Sequence, residues 1–315
     1  MNWLLWRQHR AQTYVTSAAI ALFAVVVVLT GVHMAHVYSD ATRSCSANGT
    51  CGLLGNLFQG DGAIVDLVHL SIALPLLLGV LFGATLVARE TDQATNVLVW
   101  TQTVSRRRWL YTKVATVLAA AVVISAVVSA LVTWWSGTPN SLYGNRFEGA
   151  QFDTQNVLPI ALALFGVALG IATGCFFRRT LPAIAATVGG YTGVRLLVAV
   201  YLRPHYAKTL TRSFALNGAK QYIPPGSWTV KEYIADPLGR SVGGANINIP
   251  AACRPSVNGR SGALDCLGRL GYRTVVAYHP PSQYWRFQWS ETALFLVLAA
   301  LLVGTAIVHT LRRDA

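Results

Sequence analysis

Arg89-Glu-Thr-Asp-Gln-Ala-Thr-Asn-Val-Leu-Val-Trp100-Thr-Gln-Thr-Val-Ser-Arg106-Arg107-Arg108-Trp-Leu-Tyr-Thr-Lys113 lies between two long apolar runs, Ile64–Ala88 and Val114–Trp135. A bilayer-crossing helix needs about 20 apolar residues, and each run supplies that length. The stretch therefore reads as a short loop on one face of a membrane. Its arginine block, with Arg89 and Lys113, marks that face as cytoplasmic. Glu90 and Asp92 open the loop, and Val97, Leu98, Val99 and Trp100 follow. That order suits a short helix along the membrane surface, acidic where the helix dipole favours negative charge. On composition alone it reads more simply as a plain connector whose arginines only fix topology.

Composition agrees with a membrane chain. Of 315 residues, 53% are apolar and only 12% charged. The net charge of +13 raises nucleic-acid binding as a possibility. The basic residues, however, collect at the ends of apolar runs, so no nucleic-acid partner is expected. Working outward, the spans read as Tyr14–Val37, Ile64–Ala88, Val114–Trp135, Val157–Phe177, Leu181–Leu202 and about Ser290–Thr310. Arg7, Arg10, Arg89, Arg106, Arg107, Arg108, Lys113, Arg178, Arg179, Arg312 and Arg313 then fall on one side. The two short loops opposite hold only Arg43 and Arg146, which places both termini inside.

The expected fold is an all-α polytopic membrane protein with six transmembrane helices. An N-terminal interfacial helix precedes them, and a long extracellular segment precedes the last. The divisions are 1–13, a cytoplasmic entry helix; 14–202, a five-span bundle with the loop 89–113; 203–289, extracellular; and 290–315, the sixth span and cytoplasmic tail. Nothing in composition marks 203–289 as a separate globular domain. Within it, Arg273–Tyr278 and Tyr284–Trp289 read as short interfacial helices. Residues Tyr38–Ala63 and Ser136–Asn156 read as outer loops.

Four cysteines form two close pairs, Cys45/Cys51 and Cys253/Cys266, both on the outer side where disulfides persist. Local pairing, Cys45–Cys51 and Cys253–Cys266, is expected, leaving Cys175 as a small apolar residue inside a span.

Polar groups inside spans are costly and mark sites. Arg195 lies in the fifth span and is expected to pair structurally, with Glu291, Asp66 or Glu148, rather than to touch substrate. Asp66 and His69 share a face of the second span, and His33 and His36 a face of the first. Imidazole and carboxylate suit transition metals, but nothing in the sequence brings these four together, and no metal is expected. Glycines recur four apart at Gly79/Gly83, Gly166/Gly170/Gly174 and Gly189/Gly193, the spacing of close helix contacts, internal or between copies.

The chain lacks G-x-x-x-x-G-K-[ST], H-E-x-x-H and G-x-S-x-G. No span carries the acidic chain of a proton-coupled pump. A polytopic protein with no energy source of its own, and a dressed cytoplasmic loop, points to energy from a partner.

Glu90, Ala94-Thr95, Trp100-Thr101-Gln102-Thr103-Val104-Ser105, Arg106–Arg108, Trp109 and Lys113 resemble the loop of bacterial type-2 ABC exporter permeases. In that family the loop reads Glu, Gly-Thr, then Thr-Gln-Ser-Val-Ser/Thr-Arg-Arg-Arg-Trp-Leu and Lys. Ala94 and Thr103 depart from it, both by small changes. His279-Pro280-Pro281-Ser282-Gln283-Tyr284-Trp285-Arg286-Phe287-Gln288-Trp289-Ser290-Glu291 resembles the family's approach to its last span, Pro-Ala-Ser-Arg-Phe-Trp-x-Phe-Gln-x-x-Glu. The resemblance implies a permease subunit in a bacterial cell membrane, paired with a second permease subunit and two ABC ATPase subunits. Arg89, Glu90, Trp100, Arg106, Arg107 and Arg108 would couple it to the ATPases. ATP and magnesium would belong to that partner, with no cofactor and no catalytic residue in this chain. Amphiphilic drugs, peptide antibiotics or lipids would leave outward through it. A sensory or immunity complex that binds an extracellular ligand through 203–289 without transport is the alternative.

Overall fold

The computed structural model describes residues 2–48, 66, 68–86, 106–138, 146–147, 149–216, 223–242, 253 and 259–313. It separates into two units. The first is Met1–Tyr143, Gly149–Val200 and Gln288–Ala315; the second is Gly144–Glu148 and Tyr201–Phe287.

The first unit is helical. Helix α1 runs unbroken from Asn2 to Asn48, through the expected entry helix and first span and on into the expected outer loop. The chain offers no proline there to stop it. Its hydroxyl side chains bond back to the helix, as Thr42 Oγ1 does to the carbonyl of Tyr38 at 3.0 Å. Among the described residues, five helices are long and apolar enough to cross a membrane: Tyr14–Ser46, Leu110–Trp135, Leu158–Phe177, Thr180–His205 and Pro281–Arg312. The expected second span is shorter in its described part, Leu70–Ala84, here called α2. It changes pitch along its length, from a 3-10 turn at Leu70–Ala73 through α at Leu74–Leu78 to a π turn at Gly79–Ala84.

The other helices of this unit are α3 (Arg106–Trp135), the short α4 (Gly149–Thr154), α5 (Leu158–Phe177) and α6 (Thr180–Leu197, extended by a π turn to Leu202). The last helix, α8 (Tyr284–Arg313), ends in it. Helix α5 has no charged residue and no polar face, and a helix apolar all round belongs inside a bundle. Two-thirds of its most apolar window is buried, against 11% for α1. It packs on α2, α3 and α6. Leu78 of α2 and Leu86 just after it, Leu110 and Val114 of α3, Val167 and Ile171 of α5 and Ala306 of α8 form the main apolar cluster.

Lipid gives helices no hydrophobic reason to associate, so backbone approach decides which ones meet. A Cβ on Gly79 would stand 2.5 Å from the carbonyl oxygen of Gly166, and one on Gly83 2.6 Å from that of Val167. A Cβ on Gly170 would strike the backbone of Gly79 and Ala84. These glycines are therefore internal contacts. Gly189 and Gly193 of α6 meet nothing within 4 Å.

The second unit corrects one expectation. Arg273–His279 is not an interfacial helix but strand β3, the centre of a three-stranded antiparallel sheet ordered β1-β3-β2. β1 is Leu210–Ala215 and β2 is Trp228–Ala235. The run Thr274-Val275-Val276 is β-branched, which favours the extended chain. Ladders on both sides satisfy its backbone, with Val276 opposite Arg212 in β1 and Glu232 in β2. Tyr284–Trp289 is likewise no separate interfacial element; it is the first part of α8.

Helix α7 (Gly259–Arg269) precedes β3, and Cys266 on it is bonded to Cys253, as the spacing suggested. Cys45 is also disulfide-bonded, while its expected partner Cys51 lies outside the described residues. Cys175 is free and buried. A tight turn closes β2, where Asp236 accepts the backbone N–H of Leu238 at 3.0 Å and of Arg240 at 2.8 Å. Arg240 Nε adds a third bond at 2.8 Å. Desolvation raises the Asp236 carboxyl, but those bonds and the guanidinium charge outweigh it and hold the group below its ordinary range.

Candidate functional site: a buried ion-pair network

Glu291 and Arg195 come from α8 and α6, and Asp153 from α4. Arg195 Nη1 donates to Glu291 Oε1 at 2.6 Å, and Nη2 donates to Asp153 Oδ2. The glutamate side chain is fully buried, the aspartate 8% exposed and the arginine 12%. One planar guanidinium thus holds two carboxylates from two other elements, the geometry its fork of donors allows.

The guanidinium also lies over a ring. Its carbon stands 5.5 Å from the centroid of Phe295, one helical turn beyond Glu291. Phe165 of α5 packs on Phe295 at 5.1 Å and on Tyr191 of α6 at 5.8 Å. An aromatic floor therefore separates the charges from the apolar interior. Buried ions cost several kcal/mol each in lost hydration, so the three groups persist only together.

Neutral bonds extend the cluster. Gln288, one turn before Glu291 and fully buried, donates through Nε2 to the carbonyl of Phe152 at 3.0 Å. Its Oε1 accepts the N–H of Leu158 at 3.3 Å, an orphan donor at the start of α5. Asn156, at φ 62°, makes the bend between α4 and α5. Thr133 of α3 accepts its N–H at 2.8 Å, and Ser129 donates to its carbonyl at 2.6 Å. Side chains of α3, α6 and α8 thereby fix the short segment that introduces α5.

The geometry explains the Phe-Gln-x-x-Glu spacing before the last span. Gln288 and Glu291 lie three apart on one helical face, where one bonds the turn before α5 and the other bonds Arg195. Phe287 belongs to the second unit, where it packs on His279 at 4.8 Å and Phe147 at 5.5 Å.

Of the expected partners of Arg195, Glu291 is present, Asp66 is exposed and Glu148 lies outside the described residues. Asp153 was not foreseen. His69 is half-buried, and His33 and His36 are exposed. Among the described residues no group of three His, Cys, Asp or Glu side chains could hold a metal ion. Arg89, Glu90 and Trp100 lie outside the described residues. Arg106 and Arg107 open α3, Arg108 is exposed, and Lys113, two turns in, is buried beside Val114.

A family model described as ABC-2 membrane transporter related matches residues 17–203. No curated protein and no solved structure matches the chain.

Proposed function

The chain belongs to the ABC-2 membrane transporter related family, and from that premise we propose that it is the permease subunit of an ATP-driven exporter that moves an amphiphilic substrate outward. The reach of the match carries the reading. Residues 17–203 take in the Arg89–Lys113 stretch and the apolar runs on both sides of it. ATP and magnesium act in a separate ABC ATPase. Arg89, Glu90, Trp100 and Arg106–Arg108 receive its movement.

Two rigid blocks support a mechanical role. Close glycine contacts make α2 and α5 one block. The Arg195 network makes the end of α6 one block with α4 and α8. A push on the loop between α2 and α3 is then delivered to blocks rather than to single helices. Drugs, peptide antibiotics or lipids would enter laterally from the inner leaflet and leave outside. The open face at Gly189 and Gly193 supports pairing with a second permease subunit. The Cys253–Cys266 bond favours an oxidising, outer side for 203–289, with both termini in the cytoplasm of a bacterial cell.

The folded, disulfide-tied second unit favours a second reading, a complex that binds an outside ligand and signals without transport. Purification with the ATPase encoded beside it, followed by ATP turnover and vesicle flux against a panel of amphiphiles, separates the two. Substrate-stimulated turnover with flux supports export. Ligand binding with neither overturns it.

A further inference from the structure

Two chain crossings meet at one edge of the second unit. Residues 201–209 contain the end of the apolar helix Thr180–His205, and 279–287 contain the start of the apolar helix Pro281–Arg312. Hydrogen bonds hold them side by side. His279 Nε2 donates to the carbonyl of Pro204 at 3.2 Å, and its Nδ1 is bonded to Oε1 of Gln283 at 2.8 Å. Gln283 Nε2 donates to the carbonyl of Lys208 at 3.3 Å.

The exposed side chains of these two stretches and of β1 mix two chemistries. Tyr201 is 70% exposed, Trp285 50% and Leu210 48%. In the same stretches His205, Lys208 and Arg286 are exposed. Residues 201–216 and 279–287 contain no Asp or Glu at all, and Glu232 is the one acid of the three strands. Tyrosine and tryptophan with one wet edge suit the headgroup layer. The basic groups have no carboxylate in the same stretches to balance them.

We propose that this edge is a docking surface for anionic lipid headgroups, with Lys208 and Arg286 contacting phosphate and Tyr201 and Trp285 seated at the acyl boundary. The apolar rings argue against a soluble acidic partner, which would leave them in water. The missing carboxylates argue for anionic over zwitterionic lipid. Each basic side chain near an anionic surface strengthens attraction by about fivefold. The inference rests on the chain crossing a membrane and is independent of whether it transports.

The test uses the full chain in nanodiscs of mixed phosphatidylglycerol and phosphatidylcholine. After detergent dilution, retained lipid is counted by mass spectrometry. The wild type should retain phosphatidylglycerol in excess of its bulk share. Lys208→Gln with Arg286→Gln should lower that excess at least about fivefold, and the exchange Lys208→Arg with Arg286→Lys should keep it. Arg269→Gln with Arg273→Gln, at the opposite end of β3, should leave it unchanged. Brominated phosphatidylglycerol should quench the fluorescence that Trp285→Phe removes. Equal retention by the Lys208/Arg286 variant overturns the proposal, as does equal loss in the Arg269/Arg273 variant. Displacement by inorganic phosphate, with no preference between the lipids, would identify a free-anion site instead and equally overturn it.

Discussion

Arg195 and Glu291 stand 96 residues apart in the chain and meet at 2.6 Å, the glutamate wholly buried. The pair joins α6 to α8, and Asp153 of α4 shares the same guanidinium. Removing the cation takes from two buried carboxylates the guanidinium they share. Arg195→Ala should therefore lower stability by roughly 3–5 kcal/mol, the cost of orphaning a buried charge. Arg195→Met combined with Asp153→Asn and Glu291→Gln should recover most of it. Thermal unfolding of detergent-purified chain checks both. An unchanged midpoint for Arg195→Ala would remove the network from the fold's support.

The glycines divide by location. Gly170→Ala and Gly79→Ala must push backbone against backbone, since the nearest atoms are carbonyls and a main-chain nitrogen rather than yielding side chains. Overpacking of this kind costs about 1–3 kcal/mol. Gly189→Ala and Gly193→Ala have open space and should leave the monomer's melting point unchanged. Should they shift the ratio of dimer to monomer in light scattering, the α6 face pairs two copies.

Acid should loosen the second unit through Asp236. Its carboxyl is held below the ordinary 3.8, so its bonds to Leu238 and Arg240 contribute fully above that value. The contribution is lost as pH falls through the lowered folded-state value. Proteolysis near the β2 turn should rise on acidification in the wild type. Asp236→Asn should already be cleaved faster at neutral pH and change less on acidification. Parallel pH curves for the two proteins would contradict the assignment.

The loop at the head of α3 can be tested in the assembled complex. Glu90→Gln removes one carboxylate; a solvent-accessible ion pair is worth about 0–1 kcal/mol, so the change should not disturb insertion. It should still reduce substrate-stimulated ATP turnover, as should Trp100→Ala. Lys231→Ala on β2 should leave turnover unchanged. Normal insertion with full stimulated turnover in both loop variants would reduce Arg89–Lys113 to a connector.

Hydropathy and charge punctuation made the main spans readable. Arg178-Arg179 split α5 from α6 within two residues, because no run of apolar side chains can bury a guanidinium pair in lipid. Arg195 was readable for the same reason, and Glu291 followed from its place at the start of the last span. Asp153 was hidden because its burial depends on a six-residue helix placed by tertiary bonds, from Gln288 to Phe152 within it and from Ser129 and Thr133 to Asn156 just beyond it. The changing pitch of α2 has no local signature either. It accompanies the closeness of α5, and only Pro75 and the spaced glycines hint at it. Strand β3 did carry a signal in Thr274-Val275-Val276. Its aromatic flanks and nearness to the last span drew it toward an interfacial reading.

Helix α1 has a mechanical meaning beyond its length. Forty-seven residues make a rod of about 70 Å, well beyond the roughly 30 Å of hydrocarbon in a bilayer. Its buried side chains, Val27 and Met34, pack with Val68, Val128, Val132 and Trp135, while Ile20, Phe23, Val37 and Tyr38 are partly covered. A Cβ on Gly31 would stand 2.7 Å from the ring of Trp134, and Trp135 Nε1 donates to Thr30 Oγ1 at 3.2 Å. Gly31, the tightest point of that contact zone, would be the pivot of a rigid tilt, with a longer arm toward Asn2 and a shorter one toward Asn48. With no proline to absorb bending, a tilt of about 5° at Gly31 swings the Asn2 end by about 4 Å and the Asn48 end by about 2 Å in the opposite direction. A rigid tilt of this kind would reverse a displacement between the two ends of α1 and roughly halve its size from Asn2 to Asn48.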